Sequence, residues 1–259
     1  MNSNDIETLD ELSPMQQAML FHSLMTPGSG VYVLQMSLRL TGRLDLPAFE
    51  RAWRSLVARH SILRTAFFWE DLETPRQVVF REVDLRVERT CWCGLGAAEQ
   101  EERLAGFLAA DRAKGFDLGE APLLRLSLFE LAEDVHQLVW TQHHLVTDGW
   151  SQGLVLQELL HTYAAFAAGR EPALPPAPVF HDYLTWLKRQ DPGVAEAFWR
   201  RSLEGFSTPT FLAAREDWME EPAGTPEVDT RRRDLALPAA VSAALRAVAR
   251  RRRLTLNTL

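Results

Sequence analysis

The sequence predicts an α+β fold, a mixed sheet flanked by helices, and three observations carry that expectation. Short apolar segments with period-two alternation recur through residues 1–170. Some neighbouring segments are joined by hairpin-sized loops such as Ala132-Glu133-Asp134, which argues against βαβ repeats. Amphipathic stretches with recognisable caps lie among them.

Each element has its own warrant. Ser13-Pro14-Met15-Gln16 opens a helix: Ser13 caps, Pro14 suits the first helical position, and Gln16 completes a capping box. The helix is expected to reach Leu24, ahead of Pro27-Gly28. Residues 35–40 alternate polar and apolar and predict a half-buried strand ended by Gly42. Asp45 caps a second helix with Phe49, Trp53, Leu56 and Val57 on one face. Residues 63–69 predict a strand, Pro75 a turn, and 78–87 a returning strand. A helix is expected over 97–114, stopped by Gly115, then strands over 123–131 and 135–142. A further helix should run from Gly149 to Ala168. Residues 171–178 hold four prolines in eight positions, the composition of a stiff linker. Beyond it, Phe180, Tyr183, Leu184 and Leu187 have helical spacing, as do Ala195, Phe198 and Trp199. Residues 209–225 read as loop, 228–237 as a strand, and Pro238 as the start of a helix through Arg250. The apolar pattern is interrupted at Leu259, which reads as truncation. Trp53, Trp69, Trp140, Trp186 and Trp199 sit on apolar faces and are expected in the core.

Composition narrows the function. The 259 residues carry 28 basic and 35 acidic side chains, a net charge of −7, with 46% hydrophobic residues. That is ordinary globular composition, and the acidic balance argues against nucleic acid as the main partner. No apolar run approaches the roughly 20 residues that span a bilayer. Cys91 and Cys93 are too few for a disulfide framework or a structural zinc site, which fits a reducing, cytoplasmic setting. They flank Trp92 in an expected loop and read as free thiols. Two basic runs, 231–233 and 250–253, are either solvated faces or a docking patch for an acidic partner.

The segment that carries chemistry is Gln142-His143-His144-Leu145-Val146-Thr147-Asp148-Gly149-Trp150-Ser151. It joins an expected strand to an expected helix, so its side chains project from the end of a sheet. Histidine is the side chain best suited to proton transfer near neutral pH. An aspartate in the same turn can fix the ring or the turn itself. Gly149 lets a ligand approach the backbone, and its N–H could face a developing oxyanion. Taken alone, the histidine pair is as readily a structural feature. No HExxH or cysteine partner supports a metal, so none is expected. No GxSxG, P-loop or dinucleotide fingerprint is present.

Four segments in order resemble motifs of the condensation-domain superfamily of nonribosomal peptide synthetases. His143-His144-Leu145-Val146-Thr147-Asp148-Gly149 resembles its HHxxxDG motif, and residues 59–67, Arg59-His60 through Leu63-Arg64-Thr65 to Phe67, its RHxxLRTxF motif. Leu12-Ser13-Pro14-Met15-Gln16 resembles the opening motif, and Phe180-His181-Asp182-Tyr183-Leu184 the helix after the first half, with Phe where tyrosine is common. The resemblance implies a chloramphenicol acetyltransferase-like lobe over 1–170, a linker over 171–178, and an incomplete start of a second similar lobe over 179–259. The family's later latch and floor-loop motifs are not present.

The resemblance also implies a reaction. An acceptor aminoacyl amine attacks a donor thioester, both held on phosphopantetheine arms of peptidyl carrier protein domains beside an adenylation domain. An amide forms and a thiol leaves, with no cofactor bound directly. His144 is then the base or amine-positioning group, His143 and Gly149 its neighbours at the site. Asp148 is assigned to structure, paired with Arg64 or alternatively Arg59, so that Asp148→Ala would misfold the protein. Trp150, expected to pack, and Ser151 are candidate substrate contacts. The DxxxxD pattern of cyclising relatives is not present, and Trp150-Ser151-Gln152 departs from the Val-Ser-Trp of epimerising ones. The opening motif leans towards a D-configured donor. The other readings are a non-catalytic docking module and a stand-alone acyltransferase.

Overall fold

The computed structural model describes residues 5–208 and 235–259. The chain forms two compact units, Met1–Thr210 and Phe211–Leu259. In the first, strands β1 (Ile6–Glu11), β3 (Thr65–Phe68) and β4 (Arg76–Phe80) make an antiparallel sheet in the order β1-β4-β3. Strands β2 (Val33–Thr41), β5 (Val87–Cys91), β6 (Leu124–Ala132) and β7 (Val135–His143) make a second sheet, ordered β2-β7-β6-β5. Its β5–β6 pair is parallel and the rest antiparallel.

The two central strands of the second sheet are buried on both faces, which explains the apolar density of β6 and β7. On one face, Leu126, Leu128, Leu138 and Trp140 pack beneath α2 (Leu46–Arg59) and α4 (Gly149–Ala167), with Trp53 edge-on to Trp140 at 5.1 Å. On the other, Phe129, Leu131 and Val139 meet Trp92 and the apolar side of α3 (Ala97–Lys114). A third cluster, with Leu12, Leu20, Phe67, Leu145 and Val146, lies where α1 (Pro14–Met25) covers the end of β7. The Ser13–Gln16 capping box and the Asp45 cap form as expected.

Several expectations need correction. The strand expected over 63–69 is a 3-10 turn, Ser61–Arg64, followed by the short β3. The strand expected over 78–87 is two strands in different sheets. Between them Leu85 is buried and Val83 packs against the core as the chain crosses over. β1 had no clear period-two apolar signal, because it is an edge strand that pairs on one side only. Cys91 closes β5 rather than lying in a loop, and Cys93 follows it in a turn.

Helices α5 (Phe180–Lys188) and α6 (Pro192–Ser202) form after the proline segment, but Trp186 and Trp199 are 56% and 58% exposed, not core. Their apolar faces have no complete cover among the described residues. The proline segment lies along the helix layer: Glu171 pairs with Arg51 at 2.6 Å, and the Pro175 carbonyl accepts from Arg59. In the second unit, α7 (Ala239–Arg252) ends at Arg253 in a left-handed cap, and the arginines at 250–253 are exposed. The expected loop at 209–225, the arginines at 231–233 and residues 228–234 of an expected strand lie outside the described residues. Residues 235–237 form no strand.

Candidate functional site

Strand β7 delivers the histidine pair to its own end. His143 pairs in register with Val33 on β2, and its N–H donates to the Leu123 carbonyl at 3.0 Å. The chain then turns, with the Val146 N–H donating back to the His143 carbonyl at 3.2 Å. Leu145 and Val146 are buried under α1, so the turn is anchored from below while His144 faces outward, half-buried. Gln16 adds a polar tie, its side-chain amide donating to the Leu145 carbonyl at 3.3 Å.

The two imidazoles have opposite chemistry. His143 is 3% exposed. Its Nδ1 accepts from the Leu145 N–H at 3.2 Å, which places the proton on Nε2, 3.4 Å from Ser23 Oγ. Ser23 donates its own proton to the Met19 carbonyl, so its oxygen is free to accept. Burial, and then the neighbouring His144, push the His143 pKa down to about 4. His143 is therefore a neutral, fully engaged brace. In His144, Nδ1 lies 2.8 Å from the Thr147 carbonyl, which only a donor can approach. The neutral ring thus carries its lone pair on Nε2, which meets no protein partner among the described residues.

Asp148 caps α4. Its carboxylate accepts from the Ser151 N–H at 2.8 Å, and Ser151 Oγ accepts from the Asp148 N–H at 2.9 Å. The Ser151 hydroxyl also meets the carboxylate, and these bonds hold its pKa below the usual range. The expected pairing of Asp148 with Arg64 or Arg59 is not formed. Arg64, 6% exposed, donates instead to Glu7 at 2.8 Å and to the carbonyls of Val57, Phe80 and Arg81. It clamps β1, β4 and the end of α2, and Glu7 competes for it because β1 pairs with β4. Arg59 and His60 both engage Glu158 on α4, at 3.0 and 2.8 Å. Burial would raise the Glu158 carboxyl, but His60 and then Arg59 outweigh it and hold the pKa down.

Gly149 starts α4 beside open space, so the room there is for an approaching group rather than for an unusual backbone. Trp150 is 87% exposed and packs on nothing that buries it, contrary to the expectation of a packing role. Ser151 is committed to the cap.

Sequence reasoning missed Tyr32. It holds φ at +61°, a left-handed conformation that costs a side-chain-bearing residue about 1–2 kcal/mol. Its carbonyl accepts the His144 N–H at 2.8 Å. Its ring centroid lies 6.2 Å from those of His143, His144 and His22, and its hydroxyl meets His22 Nδ1 at 2.9 Å. The flanking Gly28 and Gly30, both at positive φ, were the available signal.

The family model for the Condensation domain matches residues 6–259. The chain belongs to the condensation-domain family. It is 43% identical over 262 residues to one linear gramicidin synthase subunit of Brevibacillus parabrevis, a match covering 100% of the chain and 3% of that protein. It is 44% identical over 253 residues to another subunit of the same synthase, covering 98% of the chain and 5% of the relative. Among solved structures it resembles an arginine-to-alanine mutant of the starter condensation domain of rhizomide synthetase RzmA, with a TM-score of 0.72 and 23% identity, over 80% of this chain and 51% of that one. It also resembles the X-domain solved in complex with OxyB from teicoplanin biosynthesis, with a TM-score of 0.64 and 32% identity, over 78% of this chain and 45% of that one. The chain spans a few per cent of these synthase subunits and about half of these solved chains.

Around the condensation-domain histidine turn, a cavity of about 300 Å³ opens beside His143, lined by Ser23, Gly30, Trp69, Lys114 and Phe116. A separate cluster holds donors that could take a metal: Cys91, Cys93 and Glu130, whose ligating atoms lie within 4.8 Å of one another. Glu130 is already paired with Arg89 at 2.8 Å. Among the described residues, no helix is long and apolar enough to cross a membrane.

Proposed function

We propose that this chain supplies the histidine-bearing part of a site that joins two carrier-bound substrates by an amide bond. The observation that carries this reading is His144: half-buried, its Nδ1–H fixed on Thr147, and its Nε2 lone pair unengaged among the described residues. In this reading, the acceptor α-amine attacks the carbonyl carbon of the donor thioester. The new C–N bond forms as the C–S bond breaks. The amine's proton passes to or past Nε2, and the departing pantetheine thiolate takes up a proton. Most of the acceleration comes from holding the two substrates together, since positioning alone can supply several kcal/mol. An α-amine titrates near neutrality, so orienting it by a lone pair at Nε2 can suffice.

His143 and Asp148 build the turn in this reading, while Gly149 leaves room for the thioester and Trp150 faces the substrate side. The substrates arrive on phosphopantetheine arms of donor and acceptor carrier domains within a cytoplasmic synthetase that also carries adenylation domains. The far larger size of the synthase relatives supports that setting. The lobe boundary at 171–178, with a second lobe beginning at 179, belongs to the same reading. One rhizomide synthetase structure, solved with C8-CoA and Leu-SNAC, supports a thioester substrate by likeness of fold. A second reading, a docking module without catalysis, is favoured by the likeness to an X-domain solved with a bound partner.

The test is intact-mass detection of dipeptidyl carrier protein. The chain is mixed with aminoacylated donor and acceptor carriers, beside a His144→Ala variant checked for folding by circular dichroism. Product from the wild type alone supports catalysis centred on His144. No product from a well-folded wild type favours the docking module.

A further inference from the structure

Tyr32 occupies a position built for glycine. The Gly30 carbonyl accepts the Val33 N–H at 3.1 Å, closing a four-residue turn in which Tyr32 is the third residue, at φ +61°. A positive φ at that place normally selects Gly or Asn, because a larger side chain is strained there. A tyrosine retained against that strain needs a compensating contact, and its ring makes three. It lies edge-on to His144, with the planes at 72°, tilted against His143 at 59°, and parallel to His22 within 3°. The His22 hydrogen bond pins the far end of the ring to α1, and the Tyr32 carbonyl holds the His144 backbone. One residue thus fixes both the main chain and one side of the ring of His144.

We propose that Tyr32 is the positioning residue of the site: its ring holds the His144 imidazole in the Nδ1–H tautomer, with Nε2 presented to the acceptor amine. The inference rests on the reading of His144 given above. It deepens that reading by making the left-handed turn, and not Thr147 alone, responsible for the ring's orientation. Without the ring beside it, His144 can rotate away from the Thr147 carbonyl and exchange tautomers.

Nitrogen NMR of the imidazole rings tests this in the 259-residue chain itself, without any turnover assay. Tyr32→Gly removes the ring and the backbone strain while keeping the carbonyl. It should fold with a thermal midpoint equal to or above that of the wild type. The Nδ1–H to Nε2–H ratio of His144 should fall about threefold to tenfold, the equivalent of one lost edge-to-face contact. Tyr32→Phe keeps the ring and frees His22, and should shift His144 less and in the same direction. An unchanged His144 tautomer in Tyr32→Gly would overturn the proposal. A clear loss of stability in that variant would also overturn it, because a merely structural tyrosine would then suffice. The transfer assay can fail while the tautomer shifts as stated, and the reverse, so a failure of the positioning role is distinguishable from a failure of the transfer reading.

Discussion

Removing Asp148 and Arg64 singly and together separates a helix cap from an ion pair. As an ion-paired partner of Arg64, Asp148 would cost several kcal/mol to remove. The structure makes it an exposed helix cap whose hydrogen bonds, among the described residues, go to its own first turn. Asp148→Ala should therefore cost about 1 kcal/mol, the usual value of an N-cap. Arg64→Met removes a buried guanidinium that serves Glu7 and three carbonyls, and should cost about 3 kcal/mol. Glu7 is exposed enough to recover water, which keeps the figure from rising further. Because the two residues share no partner, the double variant should be additive to within about 0.5 kcal/mol. The assay is urea unfolding followed by tryptophan fluorescence, since Trp53 and Trp140 lie buried together in the core of the first unit. A coupling energy above about 1 kcal/mol would mean that the two side chains interact, and would refute this assignment.

Three further outcomes follow from the same geometry. His143 is held neutral with a folded pKa of about 4, below the 6.5 of a free histidine, so the unfolded chain binds more protons between those values. Its contribution to stability is present above pH 6.5 and is lost as the pH falls towards 4, amounting to about 3 kcal/mol. A His143→Leu variant should lose that part of the slope of stability against pH, and an unchanged slope would contradict the neutral, buried state of the ring. The buried amide of Gln142 has no partner among the described residues for either polar atom. Gln142→Met should leave the thermal midpoint unchanged or raise it by about 1 kcal/mol equivalent, and a marked fall would show that the amide is satisfied. An added Cβ at Gly30 would lie 2.8 Å from Arg112 Cγ at a positive φ, so Gly30→Ala should cost about 1–2 kcal/mol in chemical denaturation, and a neutral result would argue against the turn described.

Much of the local structure was legible because its causes are local. The Ser13–Gln16 box, the Asp45 cap, the 97–114 helix and the hairpin around Glu133 each depend on residues a few positions apart. The strand-to-helix turn of the HHxxxDG segment was legible for the same reason, and it forms where it was expected. β1 was not, because an edge strand with mixed polarity is stabilised by its partner and not by its own pattern. Trp186 and Trp199 show the opposite error: helical spacing of apolar residues marks a face, not what covers it.

The sequence by itself determined the family, most of the helices and the strand-to-helix turn that carries His144. Only the tertiary structure decided which side chains meet there. Arg64 finds Glu7 because β1 returns to pair with β4, a contact between residues 57 positions apart. Tyr32 reaches His144 because β2 lies beside β7, joining residues that no local pattern relates. The proton positions on the two histidines follow from those neighbours. Identical side chains at adjacent positions take opposite surroundings because β7 ends between them, one ring buried with its Nδ1 accepting from the Leu145 N–H and the other turned outward with its Nδ1 on the Thr147 carbonyl.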